Sequence, residues 1–255
     1  MIGAIVGDIV GSTYEFHPAK RYDFELFPKG SAFTDDTVLT LATADALIHG
    51  IEYGQVYRDW GRRFPGKGYG RRFQAWLHRE DFEPYDSLGN GSAMRVSPIG
   101  WAFKTLEKTL EEARRTALPT HGHPEGIKGA QAVAGAIFLS RTGAGKEEIQ
   151  SWISKNFGYD VSRCVIDIRP TYGFDETCPG SVPEALCAFF DSSDFESAVR
   201  LAVWLKGDAD TQACIAGSIA EAFYGGVPRY LAGPAVELLA DGMRNLLEKF
   251  EEIRK

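Results

Sequence analysis

The sequence predicts an all-α protein, and three observations carry that expectation. Apolar residues recur at steps of three and four in separate segments along the chain. Glycine or proline punctuates the ends of those segments. No alternating apolar and polar series recurs, as a half-buried sheet would require.

In chain order, Gly3, Gly7 and Gly11 come first, four residues apart. On a helix they share one smooth face, suited to close approach of a neighbouring helix. A nucleotide-binding loop is the competing reading, but neither G-x-G-x-x-G nor a Gly-Lys-Ser/Thr ending is present. Val38, Leu39, Leu41, Ala42, Ala46 and Leu47 follow as a helical stripe, and Ala130, Val133, Ala134, Ile137 and Phe138 form another that ends near Gly143. A third, Ile215, Ile219, Ala222 and Phe223, stops at Gly225-Gly226 with Pro228 beyond, a sound helix end. A final helix is expected to carry Ala235, Leu238, Leu239, Met243, Leu246 and Leu247, with a charged tail from Glu248. Loops are expected at 61–92 and 165–183, rich in Gly, Pro, Tyr and Asp. The run Cys164-Val165-Ile166-Asp167-Ile168 is compatible with one short strand. No low-complexity linker and no repeat of 20 to 50 residues divides the chain, so 1–255 is expected to form one domain.

The composition, 44% apolar and 25% charged, is that of a soluble globular protein. A formal charge of −7 argues against a broad footprint on nucleic acid. The basic run Arg62, Arg63, Lys67, Arg71 and Arg72 reads first as a solvated rim and second as a partner contact. Cys164, Cys178, Cys187 and Cys214 lack metal-site spacing and are expected to be buried and reduced. The N-terminal stretch has no basic region and reaches Asp8 quickly, unlike a signal peptide. No membrane span is expected either, and the expected compartment is the cytoplasm.

Chemistry is concentrated in Thr34-Asp35-Asp36-Thr37 and Asp208-Ala209-Asp210-Thr211, each just ahead of a helical stripe. Helix capping explains one carboxylate in each but does not need two. Carboxylates and hydroxyls are hard donors suited to Mg²⁺, Mn²⁺ or Ca²⁺. If the segments meet, each like-charged pair at about 4 Å costs on the order of 4 kcal/mol at an effective dielectric near 20. Several such pairs would consume most of a domain's stability of about 5–15 kcal/mol. Cations or raised pKa values must then relieve them, and two cations suit the charge count better than one. His121 and His123 lack a third nitrogen or sulfur partner for zinc. Gly89, Asn90, Gly91 and Ser92 would leave backbone N–H groups free at a helix start, a cradle for an anion.

The sequence resembles the ADP-ribosylglycohydrolase family, and the matching segments run from end to end. They are Gly3-Ala4-Ile5-Val6-Gly7-Asp8 with Gly11 and Glu15; Phe33 to Thr37; Gly89 to Arg95; His121 with Gly126, Gly129 and Ala130; Ser181 to Leu186; and Gly207 to Thr211. The resemblance implies a single compact orthogonal helical bundle whose long loops line a cleft holding two Mg²⁺ or Mn²⁺ ions. Thr34, Asp35 and Asp36 match ligands on one side and Asp208, Asp210 and Thr211 those on the other, with Asp210 at the bridging position. Glu15 matches a gate or ligand, against the bland reading of a surface acid. Ser87, Gly89, Asn90 and Gly91 match diphosphate contacts, where a simple tight turn is the alternative, and His121 matches a ligand contact. His123 is read as an ordinary hydrogen-bonded histidine, and an adenine-stacking aromatic is sought among Tyr172, Gly173 and Phe174.

The implied activity is metal-dependent hydrolysis of the glycosidic bond between ADP-ribose and a protein side chain or small acceptor. Arginine is preferred, as the commoner bacterial-type activity, and serine comes next. Asp208, Asp35 and Glu15 are the candidate catalytic carboxylates. The expected partner is ADP-ribose or an ADP-ribosylated protein, with neither nucleic acid nor membrane. The competing readings are a non-catalytic metal-bound ADP-ribose reader and an aspartate-nucleophile phosphatase built on Asp208-x-Asp210. The chain looks short for the family, which bears on the acceptor it fits.

Overall fold

A computed structural model describes residues 1–253. Fifteen helices run through the described residues: α1 (Ile2–Gly11), α2 (Asp35–His49), α3 (Tyr53–Arg63), α4 (Arg71–Leu77), α5 (Gly91–Met94), α6 (Ser97–Ala102), α7 (Leu106–Ala117), α8 (Pro124–Arg141), α9 (Lys146–Phe157), α10 (Val165–Ile168), α11 (Cys178–Asp191), α12 (Phe195–Trp204), α13 (Ala209–Phe223), α14 (Arg229–Glu237) and α15 (Asp241–Ile253). Pairing between extended segments is limited to two isolated bridges, Asp86 with His121 and Gly89 with Thr177. The all-α expectation holds. Among the described residues no helix is long and apolar enough to cross a membrane.

The centre of the fold is α13, buried from Ala209 to Ala222 and packed by α1, α8, α11 and α12. The glycine face of α1 explains how close that packing becomes. A Cβ on Gly3 would collide with the Gly217 carbonyl, one on Gly7 with the Ala213 carbonyl, and one on Gly11 with the backbone of Ala209 and Asp210. Only hydrogens at these positions let the two backbones touch. The close contact sets Asp8 of α1 beside the start of α13.

The helix ends follow their local chemistry. The Thr34 hydroxyl caps α2 by accepting from the Asp36 amide, and Gly50 in the left-handed region (φ 67°) closes the other end. Gly225 and Gly226, both at positive φ, terminate the segment after α13 as expected.

Four expectations need correction. The run expected as a strand forms instead the helical turn α10, Val165–Ile168, with Cys164 as its N-cap, because Val165 and Ile168 are buried while Ile166 faces solvent, a period of three. The final helix is two helices, α14 and α15, broken at 238–240. There Leu238 is exposed, and Asp241 starts a new first turn that continues past Glu248 to Ile253 with Phe250 buried. The two expected loops contain α4, α10 and the start of α11, so both are shorter and more ordered. Cys164 is exposed, while the other three cysteines are buried and free as expected.

Candidate metal centre

Both acidic segments lie at helix N-termini and open onto one cleft of about 570 Å³. Glu15, Thr34, Asp35, Asp36, Asp208, Asp210 and Thr211 all line it. The Thr211 hydroxyl donates to Asp36 Oδ2 at 3.3 Å, so the two segments meet directly. The capping reading survives on one side: Thr34 caps α2, whereas Asp208 at the α13 N-cap makes no capping bond. Asp208 instead accepts from the Asn90 side chain at 2.7 Å. The chain reaches Asp208 through Lys206 (φ 78°) and Gly207 (φ 76°). A lysine held in that region stores strain of order 1 kcal/mol, the sort that gathers at functional sites.

Asp8 joins the site, although only its place in a matching segment, not its role, was foreseen. It is fully buried, and its Oδ2 accepts from the Thr34 amide (3.0 Å), the Thr37 amide (3.0 Å) and the Thr37 hydroxyl (2.5 Å). Its Oδ1 accepts from the Thr34 hydroxyl at 2.7 Å. Oxygens of Asp8, Asp36 and Asp210 lie within 4.8 Å of one another, and so do those of Glu15, Asp208 and Asp210. Asp210 belongs to both triplets. Asp36 Oδ1 is buried with no hydrogen-bond partner. An anionic oxygen in that state requires a cation or a proton. The donors are all hard oxygens, so the residues fit Mg²⁺ or Mn²⁺.

The electrostatics follow from this crowding. Burial, then the neighbouring Asp210 and Asp8, push Asp35 and Asp36 well above the usual carboxylate range. Burial and then Asp208 do the same to Asp210. Asp8 is raised by burial, opposed by its bonds from Thr37 and Thr34. Glu15, half-buried beside Asp210 and Asp8, is pushed up to about 8. Asp208 rises only to about 6, because bonds from Asp210 and Asn90 offset its burial.

Ser87, Gly89, Asn90, Gly91 and His121 line the same cleft. Two of the turn's amides are already committed: Gly89 donates to Ser87 Oγ at 3.0 Å and Asn90 to the Glu176 carbonyl at 2.8 Å. The His121 ring packs against Gly91, where a Cβ would meet its Nε2 at 2.9 Å, and its Nδ1 pairs with the Thr120 hydroxyl at 2.8 Å. Burial holds His121 well below the usual imidazole range, with Arg95 and Arg72 adding to the effect, so the ring is neutral. His123 accepts from the Glu125 amide as the cap of α8, an ordinary structural role.

Tyr172, Gly173 and Phe174 are not among the cleft-lining residues. The Tyr172 hydroxyl donates to the Gly180 carbonyl and accepts from Gln212, and Phe174 stacks on Phe16 at the surface. The cleft's aromatic wall is Tyr69, Phe73 and Tyr85, which the sequence analysis did not single out. Ahead of Asp208 lie helix α12 and a short turn, which removes the strand a phosphatase of the Asp-x-Asp type needs.

A family model described as ADP-ribosylglycohydrolase matches residues 1–254. Similar proteins include ADP-ribosylarginine hydrolase Tri1 of Pseudomonas putida, 27% identical over 88% of this chain and 69% of that protein. ADP-ribosylhydrolase ARH3 of mouse is 26% identical over 99% of this chain and 87% of its own length. A solved chain titled ADP-ribosylglycohydrolase-related protein complex superposes with a TM-score of 0.73 at 28% identity, covering 100% of this chain and 97% of its own.

Proposed function

The chain belongs to the ADP-ribosylglycohydrolase family, and from that membership we propose that its acidic cleft hydrolyses the glycosidic bond joining ADP-ribose to an acceptor side chain, arginine before serine. The observation that carries this reading is the pair of carboxylate triplets sharing Asp210, with Asp36 Oδ1 left unpartnered. We assign two Mg²⁺ or Mn²⁺ ions to it, held by Asp36, Asp208, Asp210 and Glu15 with Thr34, Asp35 and Thr211 beside them. Asp8 either completes the ligand set or fixes Thr34 and Thr37 beside it. Bound cations would supply Lewis acidity, orienting the ribose hydroxyls and lowering the pKa of the attacking water.

In this mechanism the oxygen of water bonds to C1 of the distal ribose as the bond from C1 to the acceptor nitrogen or oxygen breaks, through an oxocarbenium-like transition state. The water's proton passes to a carboxylate. Asp208 is the preferred base, because the Asn90 side chain fixes its orientation from one oxygen, and Asp35 on the cleft wall is the alternative. The leaving group takes its proton from solvent or a nearby acid. Ser87, Gly89, Asn90, Gly91 and His121 are assigned to the nucleotide half of the ligand. The whole of 1–255 serves as one domain in this reading.

The test is release of ADP-ribose from arginine-linked and serine-linked peptides, side by side, with Mg²⁺ or Mn²⁺ and with EDTA. Metal-dependent release, faster from arginine, is expected. Release from neither peptide overturns hydrolysis, and tight binding of free ADP-ribose without release would make the protein a reader instead.

A further inference from the structure

The cleft is electrically divided. The groups acting on Asp35, Asp36 and Asp210 by charge are other carboxylates, whereas His121 and Tyr85 feel Arg95 and Arg72. The turn at 89–91 stands between these ends: the Asn90 side chain reaches Asp208, while Gly91 lies against the His121 ring.

Three arginines line the cleft, Arg71, Arg72 and Arg95, and they differ in what positions them: Arg72 and Arg95 lie over aromatic rings, whereas among the described residues none orients Arg71. Arg95 is sealed in the core, stacked 4.0 Å from the Tyr57 ring centre, and its Nη2 donates at 2.8 Å to both the Thr116 carbonyl and the Thr120 hydroxyl. It too lines the cleft, fully buried, with its Nε and Nη1 left without a hydrogen-bond partner. Arg72 lies on α4 at the cleft wall, exposed, with its guanidinium 4.8 Å over the Tyr85 ring. Among the described residues its side chain makes one hydrogen bond, a long one from Nη1 to the Asp86 carbonyl at 3.3 Å. Among the described residues no carboxylate pairs with it, although the chain carries 35 acids against 28 bases.

We propose that Arg72 is the cation that recognises the diphosphate of the bound ligand, making it a specificity residue for the nucleotide half. The proposal rests on the ADP-ribosyl reading above. With C1 of the distal ribose at the carboxylate end, the diphosphate on that sugar's 5′ carbon extends past the turn toward His121 and Arg72. A planar guanidinium, already oriented by an aromatic face and held along its edge by one long bond, suits paired bonds to phosphate oxygens. Such stacking also limits the rotamer freedom lost on binding. The cleft's net acidity makes a committed cation necessary at this end.

The experiment is calorimetric binding of ADP-ribose, ADP and adenosine to the wild-type protein, Arg72→Ala and Arg72→Lys, with thermal unfolding as a check on folding. Losing charge-assisted bonds predicts that Arg72→Ala weakens ADP-ribose and ADP about 10- to 100-fold, while adenosine is unchanged. Arg72→Lys, a point charge without the fork, should fall between. Increasing salt should erode wild-type affinity more steeply than that of Arg72→Ala. Affinity for ADP-ribose within about two-fold of wild type in a folded Arg72→Ala overturns the assignment. An equal loss for adenosine would show that Arg72 holds the base, and overturns it too. Failure of the wild-type protein to bind ADP-ribose would overturn the ADP-ribosyl reading itself, and this assignment with it.

Discussion

Asp210→Asn should make the metal-free protein more stable while removing most of its response to metal. Oxygens of Asp210 lie within 4.8 Å of those of Asp8 and Asp36 in one triplet and of Glu15 and Asp208 in the other. At that separation a like-charged pair costs about 3 kcal/mol with an effective dielectric near 20. Protonation limits how much of this the native state bears, because burial and the neighbouring carboxylates raise the pKa values of Asp36 and Asp210. A net gain of about 1–3 kcal/mol at pH 8 follows, or roughly 3–10 °C in the unfolding midpoint of a chain this size. The asparagine keeps an oxygen for the Thr211 amide, now accepted at 2.9 Å, so the local fold should survive. Wild-type protein should be stabilised by about 2.7 kcal/mol at a metal concentration 100 times Kd, and the variant by far less. Thermal unfolding in EDTA and in Mn²⁺ measures both effects. A metal-free variant less stable than wild type, with the metal response intact, would refute the charge argument.

The pH dependence has a definite sign. Glu15 is raised to about 8 in the fold from an ordinary value near 4.5, so the folded state holds an extra proton between those limits. Its contribution to metal-free stability is therefore full below about 4.5 and is lost as pH rises through about 8, while metal should reverse that trend; the same fall in EDTA melting midpoint from pH 5 to 9 in Glu15→Ala or Glu15→Gln as in wild type would contradict this. Asp8→Ala strands the part-buried Thr34 and buried Thr37 amides and should cost about 2–4 kcal/mol in urea unfolding, against a smaller loss for Asp8→Asn, which retains an acceptor. A cost under about 0.5 kcal/mol for the alanine would show that those bonds carry little. Asp208→Asn and Asp35→Asn should each lower turnover at saturating metal by at least about 100-fold. Full activity in both would remove the proposed base.

How much was legible in the sequence depended on the range of the interactions. Helices α2, α8 and α13 were readable from local periodicity, and the Gly3-Gly7-Gly11 face correctly announced a close helix contact. The two aspartate clusters were visible because paired acids exceed what a cap needs. Asp8 was not assigned a role, because a lone acid in an apolar helix acquires meaning only from Thr34, Thr37 and Asp210, all brought to it by tertiary packing. The break between α14 and α15 escaped notice because the apolar stripe continues through Leu238 and Leu239 at helical spacing. Arg71 and Arg72 looked like part of a solvated rim because 61–92 read as loop. Folding of α4 brings them to the cleft wall, while Arg62 and Arg63 stay at the exposed end of α3.

The most direct test of the central claim is anomalous diffraction at the manganese edge from crystals equilibrated with Mn²⁺. Two peaks on either side of the Asp210 carboxylate are expected, one touching Asp36 and the other touching Asp208 or Glu15. Crystals at saturating Mn²⁺ with no peak among these carboxylates would contradict the account.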